Sequence, residues 1–502
     1  MRTRALTLIL LALAARPAFA EQPLKILNCT QLLAWLAGDV SSSRLSELVR
    51  QRGIARVGAG NQLALQEGGA KADLISAIHL SDSGETSIAG ESCPMRLARA
   101  SQLARKGEYR QAEEIVKDMK AADPDNAALY FALGALRVKQ SDLEGAFDEF
   151  LTAKDLMPDF PETHSRLAYL FYRSDDPDNA IAEARTALSL NPGNAEAYRC
   201  LGMALQANGV SEAAGNAFQK SLARDPDNAE TYYDLGITLH EKGDDAGAAE
   251  AYRHAIERKA NFWEAHNNLA MLLHVSRQFE AAIAEFGEAK RLAPGEASIR
   301  NNLANTLYDK GDFDRALVEY RQLFDLDPDW SYGHDSVAKI LMLKRDYAGA
   351  VPEWQRAMRQ NPAAADLHRL LGQSLLELHQ PSDALRELRI AVELGPDAPL
   401  NHHFLGVALF AGQRFYSASR EFREAVRLEP TAENHYSLAA CLITMGDYDE
   451  ALAELNVATH LGPAQTIYAE RREELVRLMK SRSRRVEIPS QVEEPDSNGS
   501  SK

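Results

Sequence analysis

A small residue, Gly or Ala, returns every 34 positions along most of this 502-residue chain. Ten such residues follow one another at this spacing, and an eleventh comes 33 positions after the tenth. They are Ala100, Gly134, Ala168, Gly202, Gly236, Ala270, Ala304, Ala338, Gly372, Gly406 and Ala439. A fixed period of this length is the signature of a repeat array, in which each unit packs mainly against its neighbours. The period therefore constrains the fold more than the composition does.

Two further markers recur with the same period. An alanine stands twelve positions after each small residue, and a proline follows after another twelve in ten of the eleven units. The alanines are Ala112, Ala146, Ala180, Ala214, Ala248, Ala282, Ala316, Ala350, Ala384, Ala418 and Ala451. The prolines are Pro124, Pro158, Pro192, Pro226, Pro294, Pro328, Pro362, Pro396, Pro430 and Pro463. One unit is about three times the length of an average helix, so each unit holds more than one element.

The unit around Gly202 shows what this spacing demands. Leu201 and Leu205 lie one helical turn apart, which predicts the packed face of a first helix. Gly209 then ends that helix, because glycine tolerates the positive φ that a helix terminus often needs. The recurring alanine begins the packed face of a second helix, and the proline stops it. Each unit is therefore predicted to be a helix–turn–helix.

This order of small residue, alanine and proline resembles the tetratricopeptide repeat family over residues 93–465. The resemblance implies an all-α fold, a right-handed superhelical solenoid of about eleven repeats, each made of two antiparallel helices. It also implies a concave groove, lined by the first helices, in which such proteins bind a peptide or another protein. We therefore expect a non-catalytic interaction scaffold with a protein or peptide partner.

The inward positions of such a groove lie two and three residues before the small residue, and one and four residues after it. In the middle units these positions form a polar stripe, which we predict to bind the partner. The stripe consists of Tyr233, Asp234, His240, Asn267, Asn268, His274, Asn301, Asn302, Asn305 and Tyr308. Asparagine amides both donate and accept hydrogen bonds, which suits an extended peptide backbone. The alternative is that these asparagines only cap and space the helices.

The polar stripe resembles the asparagine ladder in the repeat region of O-linked N-acetylglucosamine transferase. No stretch of this sequence remains for that enzyme's glycosyltransferase domain, so we expect no such activity. Farther along the array the inward positions become apolar. They are Met342, Leu376, Val407, Phe410 and Ile443. A polar centre and an apolar C-terminal third suit a peptide that is recognised by both its backbone and its side chains.

Six histidines share one repeat position, four residues before the small residue. They are His164, His266, His334, His368, His402 and His435. Equivalent residues of successive units lie about 10 Å apart, whereas a metal ion needs nitrogen ligands at about 2 Å. We therefore expect these histidines to pack, and we predict neither a metal nor a cofactor. The sequence also lacks the motifs of nucleophilic catalysis and of phosphate binding, which argues against an enzyme.

The N-terminus has the pattern of a secretory signal. Arg2 precedes an apolar run at 6–15, and Ala18-Phe19-Ala20 forms a small-x-small cleavage site. The run is too short to span a bilayer as a stable helix. We therefore predict a signal peptide over residues 1–20 and a secreted, periplasmic or envelope location.

A small helical module is predicted over residues 21–79, outside the repeat period, and a Ser- and Gly-rich linker over 80–92. The module resembles one that is associated with bacterial envelope proteins, and its role is either partner binding or capping. Cys29 and Cys93 bracket this region and are candidates for a disulfide, because the predicted compartment is oxidising.

The array is followed by a predicted capping helix over residues 466–482, with Ile467, Leu475 and Leu478 as an apolar stripe. Terminal units of a repeat array need such a cap, because their packed face would otherwise be exposed. The segment 483–502 is rich in Ser, Glu and Pro and is predicted to be disordered.

Charge narrows the choice of partner. The formal net charge is −16, which argues against nucleic acid, because phosphate binding needs clustered Lys and Arg. No apolar stretch after the signal approaches the length of a membrane span. Two other functions stay open at this point. One is an envelope assembly or export subunit of a polysaccharide or pilus machine, and the more remote one is an enzyme whose N-terminal module is catalytic.

Overall fold

The structure, a computed structural model, describes residues 26–55, 57, 59–81, 93–328, 330 and 332–486. Every helix or strand assigned in this part of the chain is an α-helix, which confirms the all-α prediction. The predicted signal peptide and most of the predicted linker lie outside the described residues. By packing, the chain divides into two compact units, Met1–Ala260 and Asn261–Lys502.

The first unit contains the N-terminal module and five pairs of helices. The module consists of α1 (Cys29–Ala37), α2 (Ser42–Arg52), α3 (Ala59–Glu67) and α4 (Ala72–Ser81). The pairs are α5 (Met95–Arg105) with α6 (Tyr109–Ala122), α7 (Ala127–Lys139) with α8 (Leu143–Leu156), α9 (Pro161–Arg173) with α10 (Pro177–Leu190), α11 (Ala195–Ala207) with α12 (Ser211–Leu222), and α13 (Ala229–Glu241) with α14 (Asp245–Arg258). The two helices of each pair pack along each other, as a helix–turn–helix requires.

The second unit continues with six pairs and a final single helix. The pairs are α15 (Trp263–Val275) with α16 (Phe279–Leu292), α17 (Ala297–Lys310) with α18 (Phe313–Leu326), α19 (His334–Leu343) with α20 (Tyr347–Gln360), α21 (Ala365–Glu377) with α22 (Pro381–Leu394), α23 (Pro399–Ala411) with α24 (Phe415–Leu428), and α25 (Ala432–Met445) with α26 (Tyr448–Leu461). The final helix is α27 (Thr466–Val486). Consecutive pairs pack on one another, as in the solenoid that the resemblance implies.

The recurring small residue and alanine are explained by helix packing. All eleven alanines are fully buried, with 0% exposure. The small residue lies against the second helix of its own pair, where a Cβ on Gly236 would lie 2.5 Å from the ring of Tyr252. A Cβ on Gly406 would likewise lie 2.7 Å from the ring of Phe422. Glycine is needed at these two positions because an aromatic ring from the second helix occupies the space of a side chain.

The turn inside each pair contains one residue in the left-handed region. Glycine fills this position in five pairs, at Gly107, Gly209, Gly243, Gly311 and Gly446. Six other pairs use Ser141, Asp175, Arg277, Arg345, His379 and Gln413, with φ between 56° and 64°. A residue with a Cβ costs roughly 1–2 kcal/mol in this conformation. The sequence predicts the glycine turns, but it does not show that the other six turns adopt the same backbone without glycine.

In the module, backbone hydrogen bonds join the chain just before α1 to the chain just after α2. The Ser41 hydroxyl accepts a hydrogen bond from the backbone N–H of Arg44 at 3.3 Å and caps α2. Gly53 ends that helix with a φ of 73°. The Leu27 N–H then donates to the Gly53 carbonyl at 3.1 Å, and the Leu27 carbonyl accepts from the Ala55 N–H at 2.8 Å. The chain entering α1 is thereby fastened to the chain leaving α2.

The module shares one hydrophobic core with the first two pairs and with α9 of the third. Helix α1 packs against α5 and α7. The ring of Trp35 stacks on that of Phe160, with centroids 4.6 Å apart. A Cβ on Gly38 would lie 2.9 Å from the ring of Phe131, so α1 ends in close contact with α7. The module is therefore folded onto the array.

Covalent and polar contacts also hold the module in place. A disulfide joins Cys29, at the start of α1, to Cys93, just before α5. Arg52 Nη2 lies 2.9 Å from Asp159 Oδ2, next to the start of α9. These contacts tie both the first and the second helix of the module to the array.

The final helix departs from the sequence prediction in two respects. Leu475 is buried, but Ile467 and Leu478 are 47% and 42% exposed, so the predicted apolar stripe is reduced to one residue. α27 also continues beyond 482 into the segment predicted to be disordered, because no helix breaker precedes Pro489. α27 packs against α26, as a cap requires. None of the described helices has the length and apolar character that crossing a membrane demands.

Candidate functional site

The first helices of neighbouring pairs contact one another as well as their own partners. α9 contacts α11 and α11 contacts α13 in the first unit, while α15 contacts α17 and α21 contacts α23 in the second. Within the described ranges, no two second helices of neighbouring pairs pack as extensively as α9 packs on α11 or α21 on α23. Within each unit, the first helices that contact one another form the more closely spaced layer, and a ligand that lies on it can reach neighbouring repeats. We call this layer the inner face.

Tyr233 and Asp234, two of the residues predicted to bind the partner, lie on α13, and both contact other side chains of the first unit. Arg199 Nη1 on α11 lies 2.8 Å from Asp234 Oδ2, and both side chains are largely buried. Burial raises the pKa of Asp234, although the Arg199 guanidinium opposes the shift. The ring of Tyr233 packs 5.8 Å from that of Tyr252 on α14. Asp234 thus links two first helices, while Tyr233 packs within its own pair.

His240 lies at the end of α13, near the turn. Its Nδ1 is 2.6 Å from Asp245 Oδ1, at the start of the following helix, and its side chain is about half exposed. This hydrogen bond stays inside one helix pair. His240 therefore has a local partner that the sequence prediction did not identify.

The asparagines of the second unit form a chain of amides across two first helices. Asn302 Nδ2 on α17 donates to Asn267 Oδ1 on α15 at 3.3 Å. Asn267 Nδ2 in turn donates to Asn268 Oδ1 at 3.2 Å. All three side chains are half-buried. The Asn302 amide keeps its oxygen and one N–H for a further partner, because an amide has two donor hydrogens and an acceptor oxygen.

Asn301 and Asn305 have different roles. The half-buried Asn301 side chain makes no hydrogen bond with any residue that the structure describes. Asn305 Oδ1 accepts a hydrogen bond from the Tyr320 hydroxyl at 2.5 Å. Burial raises the pKa of Tyr320 to about 12, so the phenol stays protonated and donates. Asn305 therefore supports packing within its own pair, whereas Asn301 keeps its full hydrogen-bonding capacity.

The two remaining predicted residues lie near the ends of the same first helices. His274 Nε2 on α15 is 3.3 Å from Asp309 Oδ2 on α17. The ring of Tyr308 packs 5.7 Å from that of Phe313. His274 thus contacts a carboxylate of the neighbouring repeat, and Tyr308 contacts the second helix of its own pair.

The apolar inward positions farther along are half-buried and pack against the core of the second unit. They are Met342, Leu376, Val407, Phe410 and Ile443. Each lies on a different first helix, apart from Val407 and Phe410, which share α23. Their exposed parts leave apolar surface on the inner face of these repeats.

The six aligned histidines are each held by a glutamate 19 residues farther along the chain, on the second helix of the same pair. The distance from Nδ1 to Oε2 lies between 2.5 and 2.9 Å. The pairs are His164–Glu183, His266–Glu285, His334–Glu353, His368–Glu387, His402–Glu421 and His435–Glu454. Among the described residues, no three His, Cys, Asp or Glu side chains are grouped to hold a metal ion. The histidines therefore join the two helices of a repeat.

The sequence did not predict what covers the inner face of the first three pairs. Helix α1 packs on α5 and α7, which are both first helices. Arg44 Nε on α2 donates a hydrogen bond of 2.5 Å to Glu162 Oε1 on α9, which is the first helix of the third pair. The N-terminal module therefore occupies this part of the inner face. The repeat period carries no signal for such a contact, because the module lies outside it.

Sequence models of the tetratricopeptide repeat match several stretches of the chain. The matched residues are 165–229, 217–250, 273–340, 338–399, 370–417 and 405–466. Together they cover more than half of the chain. No curated protein sequence matches the chain significantly.

Several solved structures are similar to parts of the chain. The yeast protein Tom70 is 16% identical, with a TM-score of 0.31 over 78% of this chain and 96% of its own. YrrB, described as a TPR protein with an unusual peptide-binding site, is 24% identical, with a TM-score of 0.32 over 36% of this chain and 93% of its own. PilF of Pseudomonas aeruginosa is 21% identical, with a TM-score of 0.37 over 40% of this chain and 92% of its own.

Proposed function

The chain belongs to the tetratricopeptide repeat family, and we propose that this interaction scaffold binds an extended peptide segment of a partner protein on the inner face of its second unit. The observation that carries the proposal is the amide chain from Asn302 through Asn267 to Asn268. Beside it, Asn301 has no hydrogen-bond partner among the described residues. We propose no catalytic step for this surface.

An extended peptide fits these amides for a physical reason. Each of its residues presents one N–H donor and one C=O acceptor, and both need partners when they leave water. Asn301 offers two amide hydrogens and an oxygen, and Asn302 offers the hydrogen and the oxygen that its bond to Asn267 leaves over. Because the amides of α15 and α17 are already bonded to each other, they are held in place before the ligand arrives, which reduces the entropy lost on binding.

The apolar inward positions of the later repeats supply the second part of the surface. Met342, Leu376 and Phe410 are half-buried, so each presents part of its side chain to a ligand. A segment whose backbone is bound by asparagine is thus also able to bury apolar side chains on the same unit. This combination favours peptides that pair polar backbone contacts with a few large apolar residues.

The test is selection of binders from a displayed peptide library on the full chain, followed by measurement of their affinity. Peptides that bind the wild type should bind the double variant Asn301→Ala/Asn302→Ala about tenfold more weakly, because each lost amide removes roughly 0.5–1.5 kcal/mol. Asn305 is kept unchanged, because its loss would also remove its hydrogen bond with the buried Tyr320 hydroxyl and disturb packing within the pair.

The matched control is Asn456→Ala, which removes an exposed amide from the second helix α26 of the same unit. It should bind the selected peptides as tightly as the wild type. If the double variant also binds them at full strength, the asparagines serve spacing alone and the proposed surface is wrong.

We further propose that the protein works outside the cytoplasm. Support comes from the signal pattern at residues 1–20 and from the disulfide between Cys29 and Cys93, since stable disulfides belong to oxidising compartments. Cell fractionation with sequencing of the mature N-terminus should find Glu21 first in an extracytoplasmic fraction. Co-fractionation with outer-membrane complexes would favour the envelope assembly alternative, and a cytoplasmic protein that retains Met1 would contradict the proposal.

A further inference from the structure

A cavity of about 640 Å³ lies where the N-terminal module meets the array in the first unit. One wall consists of the turn between α1 and α2 together with α2 itself. The opposite wall is formed by α9, by the turn before α11 and the start of α11, and by Arg224 and Asp225 just after α12. Phe131 of α7 also lines the cavity. The cavity exists because the module is docked on the inner face, and its volume lies within the range of ligand-binding sites, roughly 300–1,000 Å³.

The walls of this cavity carry more carboxylates than guanidinium groups. The carboxylates belong to Asp39, Glu47, Glu162, Glu196 and Asp225. The arginines are Arg44, Arg166 and Arg224. Most of these carboxylates already face a cation. Arg44 pairs with Glu47 and Glu162. Lys139 Nζ lies 3.5 Å from Asp39 Oδ2, and Arg199 Nε lies 3.3 Å from Glu196 Oε2. The ligand therefore depends on which polar atoms of the cavity still lack a partner.

Glu162 supplies an acceptor that the protein leaves without a donor. Its Oε1 accepts the hydrogen bond from Arg44 Nε at 2.5 Å. Its Oε2 is buried and has no hydrogen-bond partner among the described residues. A buried carboxylate oxygen without a donor is costly, so a ligand nitrogen that donates to it recovers free energy.

Arg166 supplies donors that the protein leaves without an acceptor. It lines the same cavity and donates no hydrogen bond to any residue that the structure describes, although its charge and that of Arg199 outweigh burial and lower the pKa of Glu196. A guanidinium group only donates, so it calls for a ligand oxygen. Glu162 and Arg166 lie one helical turn apart on α9, so one ligand is able to meet both.

We propose that this cavity binds a peptide segment through a lysine side chain, whose ammonium group donates to Glu162 Oε2 while a backbone carbonyl of the segment accepts from Arg166. A peptide carries both groups, whereas a metal ion or a simple amine carries only the cation. The site is separate from the amides of the second unit and does not depend on the function proposed for them. The N-terminal module then acts as one wall of a binding site in addition to capping the array.

The experiment compares two probes on the full chain by isothermal titration calorimetry. One is the blocked pentapeptide acetyl-Gly-Gly-Lys-Gly-Gly-amide, and the other has norleucine in place of lysine. The lysine peptide should bind about tenfold more tightly, as one charge-assisted hydrogen bond predicts. Glu162→Gln should abolish this preference. The control Glu250→Gln, which removes an exposed carboxylate on α14 in the same unit, should retain it.

A second variant keeps the test valid if Glu162→Gln disturbs the docking of the module. Arg166→Gln leaves the Arg44–Glu162 bond intact. It should weaken the binding of both peptides equally, because Arg166 is proposed to donate to a backbone carbonyl that both peptides have. Circular dichroism establishes that each variant is folded. Equal affinity of the two peptides for the wild type, or wild-type binding by Arg166→Gln, would overturn the proposal. The double variant Asn301→Ala/Asn302→Ala should leave the affinity of both peptides unchanged. A negative result at this cavity is therefore distinguishable from a negative result at the amides of the second unit.

Discussion

The imidazole Nδ1 of His164 lies 2.6 Å from the carboxylate Oε2 of Glu183, and its Nε2 lies 2.9 Å from the carbonyl oxygen of Pro158. Carbonyl and carboxylate oxygens only accept hydrogen bonds, so both ring nitrogens carry protons and the ring is cationic. Burial alone would lower the pKa of His164, but the two hydrogen bonds outweigh it and raise the pKa. Burial would raise the pKa of Glu183, but His164 and Lys154 outweigh it and lower the pKa. The pair therefore binds two helices and the preceding turn through opposite charges.

We expect the His164–Glu183 pair to stabilise the fold most strongly in weakly acidic solution. The pKa of His164 is raised above 6.5, so its contribution is full below pH 6.5 and is lost as the pH rises through the folded-state pKa. The pKa of Glu183 is lowered below 4.5, so its contribution is full above pH 4.5 and is lost as the pH falls through the folded-state pKa. The urea midpoint of the full chain should therefore fall between about pH 5.5 and about pH 8.5.

The control for this prediction is His164→Gln, which keeps a polar side chain but does not titrate. The drop in urea midpoint across the same pH interval should be smaller in the variant than in the wild type. A variant with the full wild-type drop would show that His164 does not titrate as its contacts require.

The left-handed turns predict substitutions of opposite sign at equivalent positions. Arg345 adopts a φ of 60°, so Arg345→Gly should raise the free energy of unfolding by about 1 kcal/mol. Gly311 adopts a φ of 87°, so Gly311→Ala should lower it by about 1 kcal/mol. Urea denaturation measures both changes, and Arg345→Ala serves as the control because it removes the side chain but keeps the strain. Equal stabilisation by Ala and Gly would locate the effect in the arginine side chain.

Two helical glycines of the first unit should respond in opposite ways to the same substitution. A Cβ on Gly236 would lie 2.5 Å from the Tyr252 ring, so Gly236→Ala should destabilise the protein by roughly 1–3 kcal/mol. A Cβ on Gly215 meets only Thr238, at 4.0 Å, so Gly215→Ala should stabilise it by about 1 kcal/mol through helix propensity. Thermal or urea unfolding decides the sign. If both variants are stabilised, the helices of this pair move apart at little cost.

Removal of the disulfide should loosen the N-terminal module. Cys29 and Cys93 are 64 residues apart, and closing a loop of this length restricts the unfolded chain by about 4 kcal/mol in the chain-entropy account. The variant Cys29→Ser/Cys93→Ser should therefore lose hydrogen-exchange protection in α1 to α4 before the later helices do. Reductant should bring the wild type to the same level and leave the variant unchanged. Unaltered protection in the variant would mean that noncovalent contacts such as Trp35 on Phe160 suffice.

Much of the repeat fold follows from the sequence, because its causes are local and recur. The burial of Ala418 and the close approach of Phe422 to Gly406 are both predicted by positions that return with the period. The period also carries signals for two further features of the fold. A glutamate stands 19 residues after each of the six histidines, and Arg277 occupies the turn position that Gly243 fills one unit earlier. These contacts were therefore accessible to sequence reasoning.

The candidate sites were harder to predict, because they depend on contacts between segments distant in sequence. Sequence position alone places Asn301 and Asn305 together on the inner face, yet the Tyr320 hydroxyl occupies Asn305 and leaves Asn301 open. The stacking of Trp35 on Phe160 joins the module to the third repeat, and no periodic pattern relates these two residues. Hydrogen-bond competition and long-range docking thus decide which polar residues are available to a ligand.

The contacts described between the module and the array end at the beginning of α9, where Phe160 and Glu162 lie. Later repeats rest mainly on their immediate neighbours. Duplication or loss of a whole repeat downstream of α12 would therefore change the length of the ligand surface without disturbing the N-terminal module. Related proteins of different length should therefore keep the N-terminal module and the repeats that it contacts. They should differ in the number of later repeats.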